Sequence, residues 1–153
     1  MKLLAIGAHP DDIEIFMYGF IALCKKKKDE VFLAVASDGA AGGENKDNKL
    51  VKTREKETKL ALKFLGKPTL LGLHDGKLEE DKRAQAKIKR LILEIEPDLI
   101  ITHAPEDYHP DHIALSKYVS NAASFKCPVL FSDTLMGVNF KPEIYIDLSL
   151  IHI

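Results

Sequence analysis

The chain has 153 residues, a length that fits one domain with its own buried core. Its 22 lysines and arginines nearly balance its 23 aspartates and glutamates, which gives a formal net charge of −1. This balance argues against nucleic acid or an anionic membrane as a partner, because both select strongly basic surfaces. The two cysteines lack C-x-x-C spacing, and the apolar N-terminal run is too short for a signal peptide. We therefore expect a cytoplasmic protein with reduced thiols.

Strand-like and helix-like patterns alternate along the chain. Short apolar runs predict strands, whereas apolar residues at helical spacing, with Pro10 and Pro110 at first helical positions, predict helices. The predicted strands cover residues 3–8, 31–36, 69–73, 99–102, 129–132 and 144–148, and the predicted helices cover residues 10–28, 53–65, 81–95 and 110–125. Gly66 is expected to cap the second helix. The alternation indicates βαβ units, and hence an α/β fold with a mostly parallel sheet.

Two similar tetrapeptides follow predicted strands. H-P-D-D at residues 9–12 comes directly after the first strand, and H-P-D-H at residues 109–112 follows the fourth strand after a loop. Open parallel sheets bind ligands beyond the carboxyl ends of their strands. Both tetrapeptides therefore lie where chemistry is expected.

The spacing within these tetrapeptides suits a metal site. Residues three apart at a helix start share a face, so His9 and Asp12 can converge on one point, and His109 and His112 on another. If the first and fourth strands are neighbours, both points face one crevice, where two imidazoles and one carboxylate would bind a divalent metal and leave catalytic positions open. Asp11 then suits a general base, and His109 suits a group that stabilises or protonates the reacting atoms. For either motif alone, a plain capped helix end is the alternative.

Two further histidines follow predicted strands, and each has two interpretations. His74 fits either a pocket wall or a surface turn, and His103 fits either support for a metal ligand or a satisfied buried histidine. A nucleotide-binding module on the same sheet is a third functional hypothesis. It rests on fold analogy alone, because the glycine loop at residues 39–43 lacks G-x-G-x-x-G.

The paired motifs also carry a family resemblance. A-H-P-D-D-I-E at residues 8–14 and H-P-D-H at residues 109–112 resemble the two signature motifs of the LmbE-like, or PIG-L, family of metal-dependent N-deacetylases. Further segments that resemble this family are residues 37–39, 42–43, 54–57, 75–76 and 97–101. The resemblance implies a Rossmann-like fold with helices on both sheet faces. It also implies homo-oligomers and small-molecule substrates with an amide on N-acetylglucosamine or a related glycoside.

The resemblance assigns roles to the residues of the two motifs. His9, Asp12 and His112 match the family's metal ligands, and Asp11 matches the general base that activates water. His109 matches the residue that polarises the carbonyl and stabilises the oxyanion. The implied cofactor is Zn²⁺, with Fe²⁺ as the alternative, because two histidines and one carboxylate suit both ions.

Three more residues receive supporting roles from the resemblance, and the role of Tyr108 stays open. Asp111 matches the partner that orients His109, and Arg54 matches a substrate-binding arginine. Glu14 matches a position that supports the first motif. Relatives vary at Tyr108, so this tyrosine either contacts the substrate or simply packs.

Members of the family usually run beyond the length of this chain. We therefore expect one LmbE-like deacetylase domain over residues 1–153 that lacks the family's C-terminal portion. The resemblance implies a zinc-dependent hydrolase that removes the N-acetyl group from an amino sugar. The alternative is a domain that binds the metal but is catalytically incompetent. An apolar edge strand at residues 144–148 would favour self-association.

Overall fold

A five-stranded parallel sheet forms the centre of the computed structural model, which describes residues 1–43, 48–134 and 139–149. The strands are β1 (Lys2–Gly7), β2 (Glu30–Ser37), β3 (Thr69–Leu73), β4 (Leu99–Thr102) and β5 (Val129–Phe131). Their order is β3-β2-β1-β4-β5, with every neighbouring pair parallel. The predicted α/β class is therefore confirmed, and β1 and β4 are neighbours.

The helices cover both faces of this sheet. They are the π-helix Ile13–Met17, α1 (Tyr18–Lys26), α2 (Asn48–Ala61), α3 (Ala84–Ile95) and α4 (Pro110–Ala123). Along β1, Leu4 and Ile6 pack on the face covered by α3 and α4, while Leu3 and Ala5 pack on the face covered by the π-helix, α1 and the residues after α2. Since both faces of β1 are buried, its sequence is a continuous apolar run rather than an alternating one. In the described part of the chain, no helix combines the length and apolar character needed to span a bilayer.

The start of the first predicted helix is wrong. Pro10 and Asp11 lie in a turn, and Asp11 has φ 101, outside the helical region. The helix begins instead as the π-helix at Ile13. The cause is the tight return of the chain after β1: a Cβ on Gly7 would lie 2.9 Å from the Cβ of Asp12. This return brings Asp12 back against the strand end, which a regular helix starting at Pro10 would not do.

The second predicted helix has the wrong bounds. The structure has α2 at Asn48–Ala61, so the helix begins five residues earlier and ends earlier than the apolar pattern indicates. No apolar residue lies between Val51 and Leu60, so the first half of α2 has no apolar periodicity to mark it. Gly66 lies beyond an irregular turn, with φ 151, and does not cap the helix directly.

The last predicted strand, at residues 144–148, is also wrong. This segment has no regular secondary structure and pairs with no described strand, and Tyr145 is 82% exposed. Leu148 packs instead onto α1, where it occupies the space that a Cβ on Gly19 would need. The segment therefore supplies no edge strand, and homo-oligomer formation stays a prediction without this support.

Candidate metal and catalytic site

The two H-P-D tetrapeptides meet because β1 and β4 are hydrogen-bonded neighbours at the centre of the sheet. The turn after β1 carries His9 and Asp12, and the N-terminus of α4 carries His109 and His112. These side chains converge beyond the carboxyl ends of both strands, at the point where the strand order reverses direction.

Three side chains, His9, Asp12 and His112, form a compact triangle of potential ligands. His112 Nε2 lies 3.3 Å from His9 Nδ1 and 3.4 Å from Asp12 Oδ1, and His9 Nδ1 lies 3.4 Å from Asp12 Oδ2. Tetrahedral zinc with bonds of about 2.0–2.1 Å separates its ligand atoms by roughly 3.3–3.4 Å. The triangle therefore has the size that such an ion requires.

Each of the two histidines has a carboxylate on its far nitrogen. His112 Nδ1 lies 3.0 Å from Asp107 Oδ2, and His9 Nε2 lies 3.1 Å from Asp111 Oδ2. A neutral imidazole carries its single proton on the nitrogen that faces the carboxylate, so the nitrogens that face each other carry lone pairs. Two lone pairs and a carboxylate that converge in this way repel one another unless a cation lies between them. The donor set thus fits a divalent metal.

The carboxylate of Asp12 is held by one of its oxygens. Oδ2 accepts the backbone N–H of His9 at 2.7 Å and lies 3.0 Å from His103 Nε2. His103 Nε2 is also 3.1 Å from the backbone nitrogen of Ala8, but one nitrogen cannot donate and accept at once. Donation to Asp12 is favoured, because an imidazole lone pair facing an ionised carboxylate is repulsive. Oδ1 is then the oxygen left to face His112.

The charges in this cluster stabilise a positive ion. Burial lowers the pKa of His9, but hydrogen bonds to Asp111, Asp12 and Asp75 outweigh burial and raise it to about 11. Burial raises the pKa of Asp12, yet hydrogen bonds from His103 and the other histidines hold it well below its usual value. Carboxylates therefore outnumber cations here, which favours either a proton on His9 or a divalent metal in its place.

The same side chains form several overlapping candidate sets. Sets of three with ligand atoms within 4.8 Å of one another are His9 with His109 and His112, Asp12 with His103 and His112, and His9 with Asp75 and Asp111. We prefer a fourth set, His9, Asp12 and His112, because of the directions in which the ring nitrogens face. In this set, a carboxylate takes the other nitrogen of each imidazole, and His103 takes the other oxygen of Asp12.

Asp11 lies beside the triangle at the cleft, with Arg54 as its partner. Arg54 Nη1 donates to Asp11 Oδ2 at 3.3 Å. Burial and the nearby charge of Asp12 raise the pKa of Asp11, although Arg54 opposes this shift. A carboxylate with a raised pKa is a stronger base, which suits proton abstraction. The positive φ of Asp11 places a strained residue at this position, and backbone strain often accompanies function.

His109 is the N-cap of α4, as the sequence predicts, with Pro110 in the first turn. Its Nδ1 accepts the backbone N–H of Asp111 at 3.2 Å, so in the neutral ring the proton lies on Nε2. Burial lowers the pKa of His109, which keeps the ring neutral. The carboxylate of Asp111 does not orient this ring. It binds His9 Nε2 and accepts the N–H groups of Gly76 and Leu78.

Three other residues that the sequence analysis singled out are Tyr108, Glu14 and His74. Tyr108 lines the cleft and is 53% exposed. Oε2 of Glu14 is buried without a hydrogen-bond partner, so no contact of this oxygen supports the first motif. His74 is exposed and does not line the cleft, which favours the surface turn.

Sequence reasoning missed Asp107 and left the role of His103 open. Both side chains are fully buried, and each contacts a side chain of the triangle. The signal for Asp107 was available, because a metal-binding histidine usually donates its second nitrogen to a carboxylate nearby. The signal for His103 was its place directly after β4, on the strand beside β1.

A cleft of about 350 Å³ opens onto the triangle and is lined by both motifs, Arg54, Asp75 and Tyr108. A larger cavity of about 680 Å³ lies between β5 and the segment 139–146, and Phe16 borders both. The smaller cleft is the candidate active site, because it contains the titratable cluster, whereas the larger one is lined mostly by apolar side chains.

Curated relatives of this chain are deacetylases by name. A protein of Bacillus cereus described as "Probable N-acetyl-alpha-D-glucosaminyl L-malate deacetylase 2" is 36% identical over 133 residues, which are 80% of this chain and 60% of that protein. An "Uncharacterized deacetylase YaiS" of Escherichia coli is 29% identical over 157 residues, covering 94% of this chain and 80% of that protein. The chain thus spans about 60% of the length of the first of these relatives.

Solved structures with the same fold have more than one activity. The 4-carboxy-2-hydroxymuconate hydratase GalB of Pseudomonas putida matches with TM-score 0.83 at 20% identity, covering 97% of this chain and 72% of that chain. An N,N'-diacetylchitobiose deacetylase of Pyrococcus horikoshii matches with TM-score 0.74 at 26% identity, covering 81% and 49%. Since a hydratase shares the fold, the fold alone does not select the reaction.

The sequence profile of one family matches most of the chain. The profile described as "PIG-L: GlcNAc-PI de-N-acetylase" matches residues 4–123, a range that contains β1 to β4 and both H-P-D motifs. The predicted resemblance is confirmed: this chain belongs to the PIG-L, or LmbE-like, deacetylase family.

Proposed function

We propose that the chain is a metal-dependent N-deacetylase that hydrolyses the acetamide of an N-acetylglucosamine-type glycoside to acetate and a free amine. The triangle of His9, Asp12 and His112 carries the proposal, because each pair of these side chains brings a nitrogen or oxygen atom of one within 3.3–3.4 Å of one in the other, beside an open cleft. The names of the curated relatives support the choice of reaction and substrate class.

In the proposed site, His9 Nδ1, Asp12 Oδ1 and His112 Nε2 hold the ion. We assign Zn²⁺, with Fe²⁺ as the alternative that the same three ligands accept. When bound, such an ion lowers the pKa of water and polarises a carbonyl oxygen. Three protein ligands leave room for water and substrate, which is typical of catalytic rather than structural sites.

Asp11 is the proposed general base. Its carboxylate borders the cleft and takes a proton from the attacking water as the new C–O bond forms. Arg54 holds Oδ2 of Asp11, which leaves Oδ1 to face the water. Arg54 and the exposed Tyr108 also line the cleft, which supports a role for both in binding the sugar.

His109 is the proposed donor to the substrate carbonyl. Because its Nδ1 accepts the Asp111 amide, Nε2–H of the neutral ring is available to the oxyanion as negative charge develops there. Collapse of the tetrahedral intermediate breaks the C–N bond and releases acetate. The amine nitrogen then gains the proton that Asp11 removed from water, directly or through His109.

The catalytic and metal residues all lie within residues 1–123 of the single predicted domain. A second hypothesis is that the domain binds the metal without turnover. The observation behind it is that the chain spans about 60% of the length of the first curated relatives it matches.

The test measures bound metal and hydrolysis on the same samples. Wild type and Asp12→Ala are purified in parallel, reconstituted with Zn²⁺ and freed of excess ion. Both are then assayed with N-acetylglucosamine and its glycosides by release of acetate. We expect about one metal per wild-type chain, little in Asp12→Ala, and activity only where metal is bound.

Asp98→Asn is the matched control, because Asp98 binds the backbone N–H of Lys2 at the opposite end of the sheet. It should keep both metal and activity. Metal without turnover in the wild type would favour the incompetent domain. A wild-type chain that binds no metal after reconstitution would refute the proposed site.

A further inference from the structure

We propose that Asp107 is a positioning residue that fixes the tautomer of His112 and so determines whether the site can bind metal. This inference rests on the proposed function only in taking His112 as a metal ligand. No role for Asp107 follows from the paired motifs or from the comparisons. Its assignment comes from the contacts of one buried carboxylate.

The two oxygens of Asp107 have different partners. Oδ2 lies 3.0 Å from His112 Nδ1, and Oδ1 accepts the backbone N–H of His109 at 2.9 Å. The side chain is 0% exposed, so water does not compete for either contact. One residue therefore fixes both the imidazole of His112 and the backbone of the N-cap residue of α4.

The contact with Oδ2 selects one tautomer. An ionised carboxylate only accepts hydrogen bonds, so Nδ1 of His112 must carry a proton. A neutral ring then has a bare Nε2, the nitrogen that faces His9 and Asp12. Without this constraint, His112 could keep its proton on Nε2, where it would block coordination.

An asparagine at this position would impose the opposite tautomer. The backbone N–H of His109 can only donate, so the amide oxygen of Asn must stay on that side. The amide NH₂ then faces His112 Nδ1 and donates to it, which forces the proton of the neutral ring onto Nε2. Asp107→Asn therefore keeps the size of the side chain, its burial and its contact with His109. The lone pair of His112, however, moves from Nε2 to Nδ1, which faces away from the metal site.

A purely structural role predicts a different result. If Asp107 only held the loop before α4, the asparagine oxygen would replace Oδ1, and metal affinity would not change. Loss of a carboxylate behind a metal-binding histidine typically lowers affinity about 10–100-fold. Metal affinity and the tautomer of His112 therefore distinguish positioning from simple packing.

The first measurement uses metal-free wild-type protein labelled with ¹⁵N-histidine. Nitrogen chemical shifts should place the proton of His112 on Nδ1. A neutral His112 ring with its proton on Nε2 in the wild type would overturn the proposal without any variant. This measurement does not depend on catalysis, so it stands even if no substrate is turned over.

The second measurement compares Zn²⁺ affinity, by competition with a chelator, for wild type, Asp107→Asn and Asp98→Asn. We expect about 10–100-fold weaker binding for Asp107→Asn, with the His112 proton moved to Nε2, and no change for Asp98→Asn. Unchanged affinity in a folded Asp107→Asn would overturn the proposal. If the wild type binds Zn²⁺ tightly but hydrolyses no acetamide, the proposed function fails, while the affinity and the tautomer measured for Asp107→Asn still test the role of Asp107.

Discussion

The two H-P-D motifs lie at neighbouring strand ends, yet their backbones differ. In the first motif, Pro10 and Asp11 form a turn, Asp11 has φ 101, and a π-helix follows. In the second, His109 caps a regular α-helix that starts at Pro110. The first motif follows β1 with one residue between, whereas a loop of six residues separates β4 from His109.

This difference in connection explains the difference in backbone. With almost no linker, the chain must turn sharply after β1 to bring Asp12 back against Gly7. The longer loop after β4 lets α4 begin without strain and also supplies the buried carboxylate of Asp107. The motifs then complete each other, because Asp111 of the second motif binds the imidazole of His9 in the first. The strained motif carries the proposed base, and the relaxed motif carries the proposed donor.

The largest expected effect distinguishes the two central aspartates of the motifs. Asp11→Asn should lower turnover about 10²–10⁴-fold while the bound metal is retained, because it removes only the proposed proton acceptor. Asp111→Asn should instead weaken metal binding, because the carboxylate behind His9 is lost. Steady-state rates and metal content of both variants check this contrast.

The contrast fails if both variants lose metal equally, or if Asp11→Asn hydrolyses acetamide at the wild-type rate. The first result would make Asp11 part of the metal-binding set. The second would require another base in the cleft, for which Asp75 is the candidate, because it lines the cleft and lies 3.2 Å from His9 Nε2.

A smaller effect is expected at His103, which connects β4 to the first motif. In the wild type, the ring of His103 stacks on that of His112 with centroids 3.6 Å apart. His103→Phe keeps a ring that can stack in this way, but it removes the hydrogen bond to Asp12. Without this contact only the backbone N–H of His9 holds Oδ2 of Asp12, and Zn²⁺ affinity should fall about tenfold, at the lower end of supporting-residue effects. Chelator competition measures the change. His103→Gln, which keeps a donor, should recover part of the affinity, and equal loss in both variants would contradict the assigned contact.

The second motif was predictable from the sequence where the first was not. At His109 and Pro110, local preferences for N-cap and first-turn residues agree with the tertiary structure, and the predicted helix start is correct. At Pro10, the same local preference is overridden by the close approach of Asp12 to Gly7, a contact that requires the sheet. The convergence of both motifs depends on β1 and β4 being neighbours in the sheet. The sequence analysis had to assume this pairing, and the structure shows it.

Protein stability should also report on the packing around the first motif. Gly39 has φ 69 and packs on the first motif, where a Cβ would lie 2.8 Å from Cγ of Pro10. Gly39→Ala should therefore destabilise the protein by about 1–3 kcal/mol through backbone strain and crowding. Gly72→Ala is the matched control, because Gly72 has φ 59 but nothing within 4 Å of its would-be Cβ. Urea denaturation should give a larger loss for Gly39→Ala, and equal losses would mean that the Pro10 contact contributes nothing.

The smallest expected effect is on stability. The difference in stability between the glycine and alanine variants should have opposite signs at Asp11 and at Asp111. Alanine and glycine at either position remove the same carboxylate, so the difference between them reports the backbone alone. At φ 101 glycine is unstrained and alanine is not, so Asp11→Gly should be more stable than Asp11→Ala by about 1 kcal/mol. At position 111, in the first turn of α4, glycine should instead be less stable than alanine by roughly 0.5–1 kcal/mol. For a chain of this size, about 1 kcal/mol corresponds to a shift in Tm of roughly 2–4 °C, which thermal unfolding of the four variants resolves. If glycine were less stable than alanine at both positions, Asp11 would not be strained, and the backbone contrast between the two motifs would be lost.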